Sequence, residues 1–417
     1  GQEVTTVSIN CGQFVNLLKR GRIEGHKTDD KSEPLENAVF GLFTADCVKF
    51  SRDTAIMTAA SDENGCFEFT DVPFGQSIVR EIESPRGYIL SNKSYPVSIS
   101  EDGEVIEITA ENKPITVKIS KRDIYGNELK GAKMQIIDSE GNIIDEWTSD
   151  GTDHIVTKIP VGNYTLKEIA APDGYVIATD IKFSIDVYGN VMVENVDSTA
   201  VSDNGYPLIT MVDDTTKVQI SKKDITTKEE LPGASLEIRN EDGEAVESWV
   251  STEEPHYIEM LPIGTYTLTE TAAPEYYAKA ETITFEVTDT KDIQKVEMLD
   301  EKIRVAVSKK DITGKKELPG AKLTVKDVKG NQIEEWVSEE TPHEMNLAAG
   351  EYTLIEVTAP EGYEVAENVT FTVTDSLEVQ PVTMYDEPKD TLVDLTGKTK
   401  TTTTGGGTPS SSGGGNV

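Results

Sequence analysis

A short motif, V/I-x-I/V/G-x-K-x-D, opens four successive stretches of the chain: Ile23–Asp29, Val117–Asp123, Val218–Asp224 and Val305–Asp311. Alternate residues of a β-strand share a face. Val117, Ile119 and Lys121 therefore point one way, as do Val218/Ile220/Lys222 and Val305/Val307/Lys309, and Lys27 follows Ile23 and Gly25. Lysine is seldom fully buried without a partner. Four inward lysines beside apolar residues demand something to meet them.

The same parity supplies two candidates per repeat. Glu168 shares a face with Tyr164 and Leu166, and Tyr266–Glu270, Tyr352–Glu356 and a looser Ser77–Glu81 repeat the arrangement. At the close of each repeat stand Ile108/Ala110/Asn112, Ile209/Met211/Asp213, Val296/Met298/Asp300 and Val382/Met384/Asp386. Each repeat thus has an inward Lys, then an inward Glu, then an inward Asx.

Two readings fit such a triad. One is a buried ion pair. The other is covalent: the lysine amine attacks the Asx side-chain carbonyl and forms an isopeptide amide. Burial lowers a lysine pKa and raises a carboxyl pKa, and only the neutral amine is a nucleophile. A protonated Glu81, Glu168, Glu270 or Glu356 then serves as proton shuttle. Lys27–Asn112 reacts with loss of ammonia; Lys121–Asp213, Lys222–Asp300 and Lys309–Asp386 react with loss of water. Fourfold recurrence at one strand parity favours the covalent reading. Each site reacts once, so this is self-processing and not enzymatic turnover.

The four stretches resemble the CnaB-type (collagen-adhesin B-type, prealbumin-like, SpaA-like) domains of Gram-positive surface proteins. The motifs that carry the resemblance are K-x-D, L-x-G-A at Leu129–Ala132, Leu231–Ala234 and Leu318–Ala321, G-x-Y-T-L-x-E, and the A-P-x-G-Y turn at Ala171–Tyr175 and Ala359–Tyr363. The resemblance covers roughly residues 21 to 389, where motif order and spacing both agree. It implies an adhesin or pilin-like stalk, with the Lys, Glu and Asx residues forming bonds. Departures are Gly25, Asn37 for the L-x-G-A glycine, Ser77, and Tyr276 in place of a turn glycine, which is expected to alter that loop. Asp197–Pro207 is an insertion before a last strand.

Repeats of about 90 residues suit a β-sandwich. The expected fold is all-β: four tandem Ig-like, prealbumin-like sandwiches in an elongated rod. The domains are 21–114, 115–215, 216–302 and 303–389, after a remnant of a preceding region at 1–20 and before a disordered Thr/Gly/Ser-rich tail at 390–417. A net charge of −36 argues against nucleic acid as partner. No run of 18 apolar residues and no secretory signal is visible.

Cys11, Cys47 and Cys66 lie in the N-terminal quarter. Cys47 and Cys66 are the candidate pair for a disulfide in the first domain, which requires their strands to be neighbours; free thiols are the other reading. Cys11-Gly12-Gln13 lacks the surroundings of an internal thioester and reads as a free thiol. His154, His256 and His343, like Trp147, Trp249 and Trp336, recur once per repeat and read as packing residues. Neither a cofactor motif nor metal-ligand spacing is found.

The expected function is a structural stalk at the cell surface, extracellular and cell-wall-anchored through peptidoglycan attachment outside this segment. Two alternatives stand beside it. One is direct binding of a host extracellular-matrix or surface glycoprotein by the N-terminal domain; the other is a spacer within a larger surface enzyme.

Overall fold

The computed structural model describes residues 18–194, 201–203 and 205–389. Cys11, nearly all of the N-terminal remnant, the tail from residue 390 and part of the Asp197–Pro207 insertion lie outside the described residues. The described chain is strand, turn and loop, apart from one 3-10 turn at Arg52–Thr54. It divides into two units. The first comprises residues up to Lys217 with Glu259–Ile263 and Thr288–Asp292; the second comprises Val218–Ile258, Gly264–Val287 and residues from Ile293 onward.

The first unit opens with two facing sheets. In one, the opening strand Arg20–Asp29 lies between Cys66–Pro73 and the closing strand Val105–Asn112. The other runs Met57–Ala60, Val39–Thr44, Gly75–Glu83, Ser94–Ile99. Ile23, Phe69 and Ala110 from the first sheet pack with Phe40, Leu42 and Val79 from the second. The plan then repeats. His154–Thr157, Thr116–Asp123 and Tyr206–Thr215 face a sheet that includes Lys130–Asp138 and Gly162–Ala170. The insertion contributes a short strand, Val201–Asp203, that pairs back onto Tyr206–Leu208.

In the second unit, Ile293–Asp300 and Gln380–Asp386 are the closing strands, paired with Lys217–Asp224 and Arg304–Asp311. Their facing sheets centre on Ser235–Arg239 with Gly264–Ala272, and on Lys322–Asp327 with Gly350–Thr358.

One pairing positions everything that follows. The opening and closing strands run parallel where their register is resolved, with Lys27 opposite Ala110 and Asp29 opposite Asn112. Lys121 likewise faces Met211 and Asp123 faces Asp213; Lys309 faces Met384 and Asp311 faces Asp386. The lysine and the Asx are therefore same-face neighbours, one pleat apart on adjacent strands. Everything between those strands is the crossover that a parallel pair requires.

The departures in the first domain have local causes. A Cβ on Gly25 would lie 2.0 Å from Phe67 Cζ. Phe67 pairs with Gly25 across the strands and stacks on Phe40 at 4.0 Å, so its ring fills the space that an apolar side chain occupies elsewhere. Asn37 has φ +67°, the left-handed conformation that Gly131, Gly233 and Gly320 also adopt; asparagine reaches it at low cost. Tyr276 was expected to alter its loop. It keeps the turn's left-handed backbone instead, with φ +73° against +84° at Gly174.

The Cys47–Cys66 disulfide is not formed: both are free thiols. Cys47 follows a strand of one sheet, and its Sγ lies 3.2 Å from the Lys49 carbonyl oxygen. Cys66 begins a strand of the other sheet, with its Sγ 3.8 Å from His26 Nδ1. The two thiols are held on different layers.

Candidate functional site

The inward Lys, Glu and Asx of each domain all lie in its sandwich interior. Lys27, Lys121, Lys222 and Lys309 are each at most 3 % exposed, and Glu81, Glu168, Glu270 and Glu356 at most 4 %. Asn112, Asp213, Asp300 and Asp386 are at most 2 % exposed. Lysine and Asx come from the paired opening and closing strands, and the glutamate comes from the facing sheet. The sheets thus bring together residues that the sequence separates by most of a domain.

In the three Asp-containing domains the contacts are alike. Lys121 Nζ donates to Asp213 Oδ1 and lies 3.0 Å from Glu168 Oε2. Lys222 donates to Asp300 and Lys309 to Asp386, with Nζ 3.0 Å from Glu270 Oε1 and from Glu356 Oε1 respectively. The last two glutamate contacts are ionic and lack hydrogen-bond alignment. In the first domain, Lys27 Nζ donates to the Thr28 carbonyl at 3.2 Å, and Asn112 Nδ2 donates to Glu81 Oε1 at 2.8 Å.

The second oxygen of each Asx is the anomaly. Asn112 Oδ1, Asp213 Oδ2, Asp300 Oδ2 and Asp386 Oδ2 are buried without a hydrogen-bond partner among the described residues. Glu168, Glu270 and Glu356 each keep Oε1 in the same condition. In the Asp domains a proton on the aspartate pairs it with the neighbouring glutamate. Asn112, by contrast, already donates its Nδ2–H to Glu81 and leaves its carbonyl oxygen unpaired; an unpaired buried acceptor costs about 1–3 kcal/mol.

Electrostatics divide the domains. Burial lowers Lys27 to about 8, against the pull of Glu81, and burial also raises Glu81. Both move toward their neutral forms. Burial raises Asp213 to about 7 and Asp300 to about 6. Lys121 and Lys222 oppose those shifts, and the neighbouring Glu168 and Glu270 add to them. Asp386 is raised in the same way. In these domains burial and the second carboxyl both push the aspartate toward its protonated form.

Two recurring supports carry no sequence motif. Each triad glutamate accepts a backbone N–H from the residue ten positions later: Ser91 to Glu81 at 2.9 Å, Ala178 to Glu168 at 2.7 Å, Ala280 to Glu270 at 2.6 Å and Ala366 to Glu356 at 2.7 Å. The only signal available was position, three residues past the turn tyrosine (Tyr88, Tyr175, Tyr277, Tyr363). Second, Ser61, Ser149, Ser251 and Ser338 accept the N–H of the buried alanine in Ala38, Ala132, Ala234 and Ala321 at 2.8–3.0 Å. That bond fixes the start of the strand facing the triad.

The K-x-D aspartate is not part of the reacting set. Asp29, Asp123 and Asp224 each accept two backbone N–H groups of the following turn. Tyr277 also donates to Asp224 at 2.6 Å, and burial together with that contact pushes the phenol up to about 12. The repeated histidines stack on tryptophan at 4.1–4.5 Å, as Trp147/His154, Trp249/His256 and Trp336/His343. Each also meets an acid on the tryptophan's own strand, Asp145, Glu247 or Glu334. Among the described residues no cluster of His, Cys, Asp and Glu is set to hold a metal ion, and no helix is long and apolar enough to cross a membrane.

A family model described as SpaA, a prealbumin-like fold domain, matches residues 21–114, 115–199, 216–302 and 303–388. The second match stops short of the Tyr206–Thr215 strand that carries Asp213. No curated protein matches the sequence. Among solved structures, the Bacillus anthracis TIE protein is similar at 21% identity and TM-score 0.39, over 84% of this chain and 69% of that one. BcpA, the major pilin subunit of Bacillus cereus, is 16% identical with TM-score 0.32, over 68% of this chain and 100% of its own. The major pilin SpaD of Corynebacterium diphtheriae is 14% identical with TM-score 0.32, over 68% and 97%. With four matched copies spanning most of its length, the chain belongs to the SpaA prealbumin-like fold domain family.

Proposed function

We propose that each domain closes a Lys–Asx isopeptide bond and that the chain is a load-bearing stalk of a Gram-positive cell-surface protein, adhesin or pilin-like in kind. The observation that carries this reading is the repeated burial of a lysine, a glutamate and an Asx in one interior, with the lysine in direct contact with the aspartate in three domains. In the first domain the neutral Lys27 amine attacks Asn112 Cγ. Glu81 relays a proton from the attacking nitrogen to Nδ2, the C–N bond breaks, and ammonia leaves. In the other domains the lysine first passes a proton to the glutamate; the neutral amine then attacks the neutral aspartic acid, the glutamate relays a proton from the attacking nitrogen to the departing hydroxyl, and water leaves. No oxidant or cofactor enters the balance. Proximity supplies most of the acceleration, because folding places the reacting groups on paired strands one pleat apart.

The product ties the opening strand of a domain to its closing strand. Because those strands run parallel, tension enters one and leaves the other in shear, and the amide carries it. Closures of about 77–92 residues stabilise by roughly 4–5 kcal/mol on the loop-entropy scale developed for disulfides. An amide also resists reduction.

Intact mass of the recombinant chain tests the reading. The expected deficit is one ammonia and three waters against the translated sequence, with branched peptides joining Lys121 to Asp213 and its counterparts. Glu168→Ala and Lys121→Arg each restore one water. A full translated mass and linear peptides alone would overturn the proposal.

A further inference from the structure

In the third domain the three consecutive backbone amides after the turn tyrosine go to three different places. Ala278 N–H donates to the Glu301 carbonyl at 3.0 Å, Lys279 N–H to Asp375 Oδ1 at 2.8 Å, and Ala280 N–H to Glu270 Oε2 at 2.6 Å. Asp375 belongs to the succeeding domain and follows its strand Val369–Val373, within the same unit. The first unit repeats the design. Ile177 N–H donates to Asp289 Oδ1 at 2.9 Å, and Ala178 N–H to Glu168 Oε2 at 2.7 Å. Asp289 follows the strand Ile283–Val287, as Asp375 follows its own. In the first domain a backbone carbonyl replaces the carboxylate: Leu90 N–H donates to Val187 O at 2.8 Å, beside Ser91 N–H on Glu81.

The amide that holds the triad glutamate is thus the immediate neighbour of an amide held by the next domain. Peptide units are planar and stiff, so fixing one N–H restricts where the next can point. Asp289 and Asp375 are exposed, and neither is needed to bury anything in its own domain. Resting on the bond-forming reading above, we propose that Asp289 and Asp375 are positioning residues acting on the preceding domain. By docking on Ile177 and Lys279, they set Glu168 and Glu270 for proton relay, so that a domain closes its bond fastest once its successor has folded.

The test uses the full chain made by cell-free synthesis, quenched at intervals in denaturant and digested, with mass spectrometry counting each branched peptide. Asp375→Ala is expected to slow Lys222–Asp300 bond formation by about ten- to hundredfold and to leave Lys121–Asp213 at its original rate. Asp289→Ala is expected to slow Lys121–Asp213 and to spare Lys222–Asp300. Asp375→Asn keeps an acceptor oxygen and is expected to restore the rate. A merely structural aspartate would instead disturb its own domain's bond, Lys309–Asp386 in Asp375→Ala and Lys222–Asp300 in Asp289→Ala, and leave the preceding domain's bond at its original rate. Equal rates in wild type and both alanine variants overturn the inference while leaving the bond-forming reading intact. If wild type forms no bond, that reading falls, and amide exchange at Ala280 decides the coupling: faster exchange in Asp375→Ala supports it, and unchanged exchange overturns it.

Discussion

The first domain and the three that follow bury the same lysine and glutamate but differ in the third group, and the difference is one of charge. Beside Lys27 and Glu81 stands a neutral amide. One proton moved from amine to acid leaves the whole site uncharged, in line with the lowered Lys27 and raised Glu81. Beside Lys121 and Glu168 stands a second acid, and the surplus carboxyl is accommodated by holding a proton on Asp213. The same fold thus prepares its nucleophile in one domain and its electrophile in the others.

Removing the cation should expose this contrast most strongly. Lys309→Met costs the fourth domain its crosslink, about 4–5 kcal/mol, and leaves Glu356 and Asp386 buried without a cation. Lys27→Met costs the first domain its crosslink but leaves Glu81 bonded to Asn112 and Ser91. The fourth domain should lose more by about 1–3 kcal/mol. Domain-resolved hydrogen exchange on the full chain measures both, and equal losses would break the comparison.

Bond-forming rates should respond to pH in opposite directions. Lys27 reacts as free amine, so the first domain speeds up as pH rises to about 8 and then levels off. Asp213 reacts as neutral acid, so the second domain slows as pH rises past about 7. Each slope approaches about tenfold per pH unit. Both bonds form in one chain, so a single synthesis time course reports both, and Asn112→Asp should reverse the slope of the first while changing its lost ammonia to water. Parallel pH profiles would contradict the assignment.

Stability of unbonded chains follows the same signs. Glu81→Gln and Glu168→Gln keep the lysine and the Asx but remove the proton relay. Lys27 is lowered from 10.5, so the unfolded chain holds the proton longer; its contribution is absent below about 8 and appears as pH climbs toward 10.5. Glu81→Gln removes a charge that holds Lys27 up, which extends this window downward. Asp213 is raised from 3.8 to about 7 beside Glu168, so its contribution is complete below 3.8 and lost as pH rises through the folded value. Glu168→Gln removes a charge that adds to the rise, which draws the upper edge of this window down. Exchange protection of the two domains, followed across pH, should therefore diverge.

The smallest expected effect concerns packing. Gly25→Ala forces a Cβ into Phe67 and should cost the first domain about 1–3 kcal/mol. Pairing it with Phe67→Leu should recover part of the loss. An unchanged melting profile for Gly25→Ala would remove the ring-filling explanation.

The triads were readable because strand parity is a local property. A residue two positions from Ile119 or Leu166 shares its face whatever the rest of the chain does, so Lys121, Glu168 and Asp213 declared themselves inward without any contact being known. The glutamate's backbone clamp was not readable, because an N–H on Ala178 or Ala280 is the same donor that nearly every residue carries. Phe67 filling the gap over Gly25 was equally hidden, since that contact joins two strands in register. Cys47 and Cys66 looked close in sequence and fall on opposite layers.

From sequence alone came the repeat, the all-β class, and the Lys, Glu and Asx residue types at inward positions, because periodicity and burial preference act through near neighbours. Tertiary structure alone decided that lysine and Asx sit one pleat apart on parallel strands, that a glutamate of the facing sheet meets them, and which groups burial shifts toward neutrality. Those depend on register, sheet packing and desolvation, which arise only when distant segments come together and exclude water.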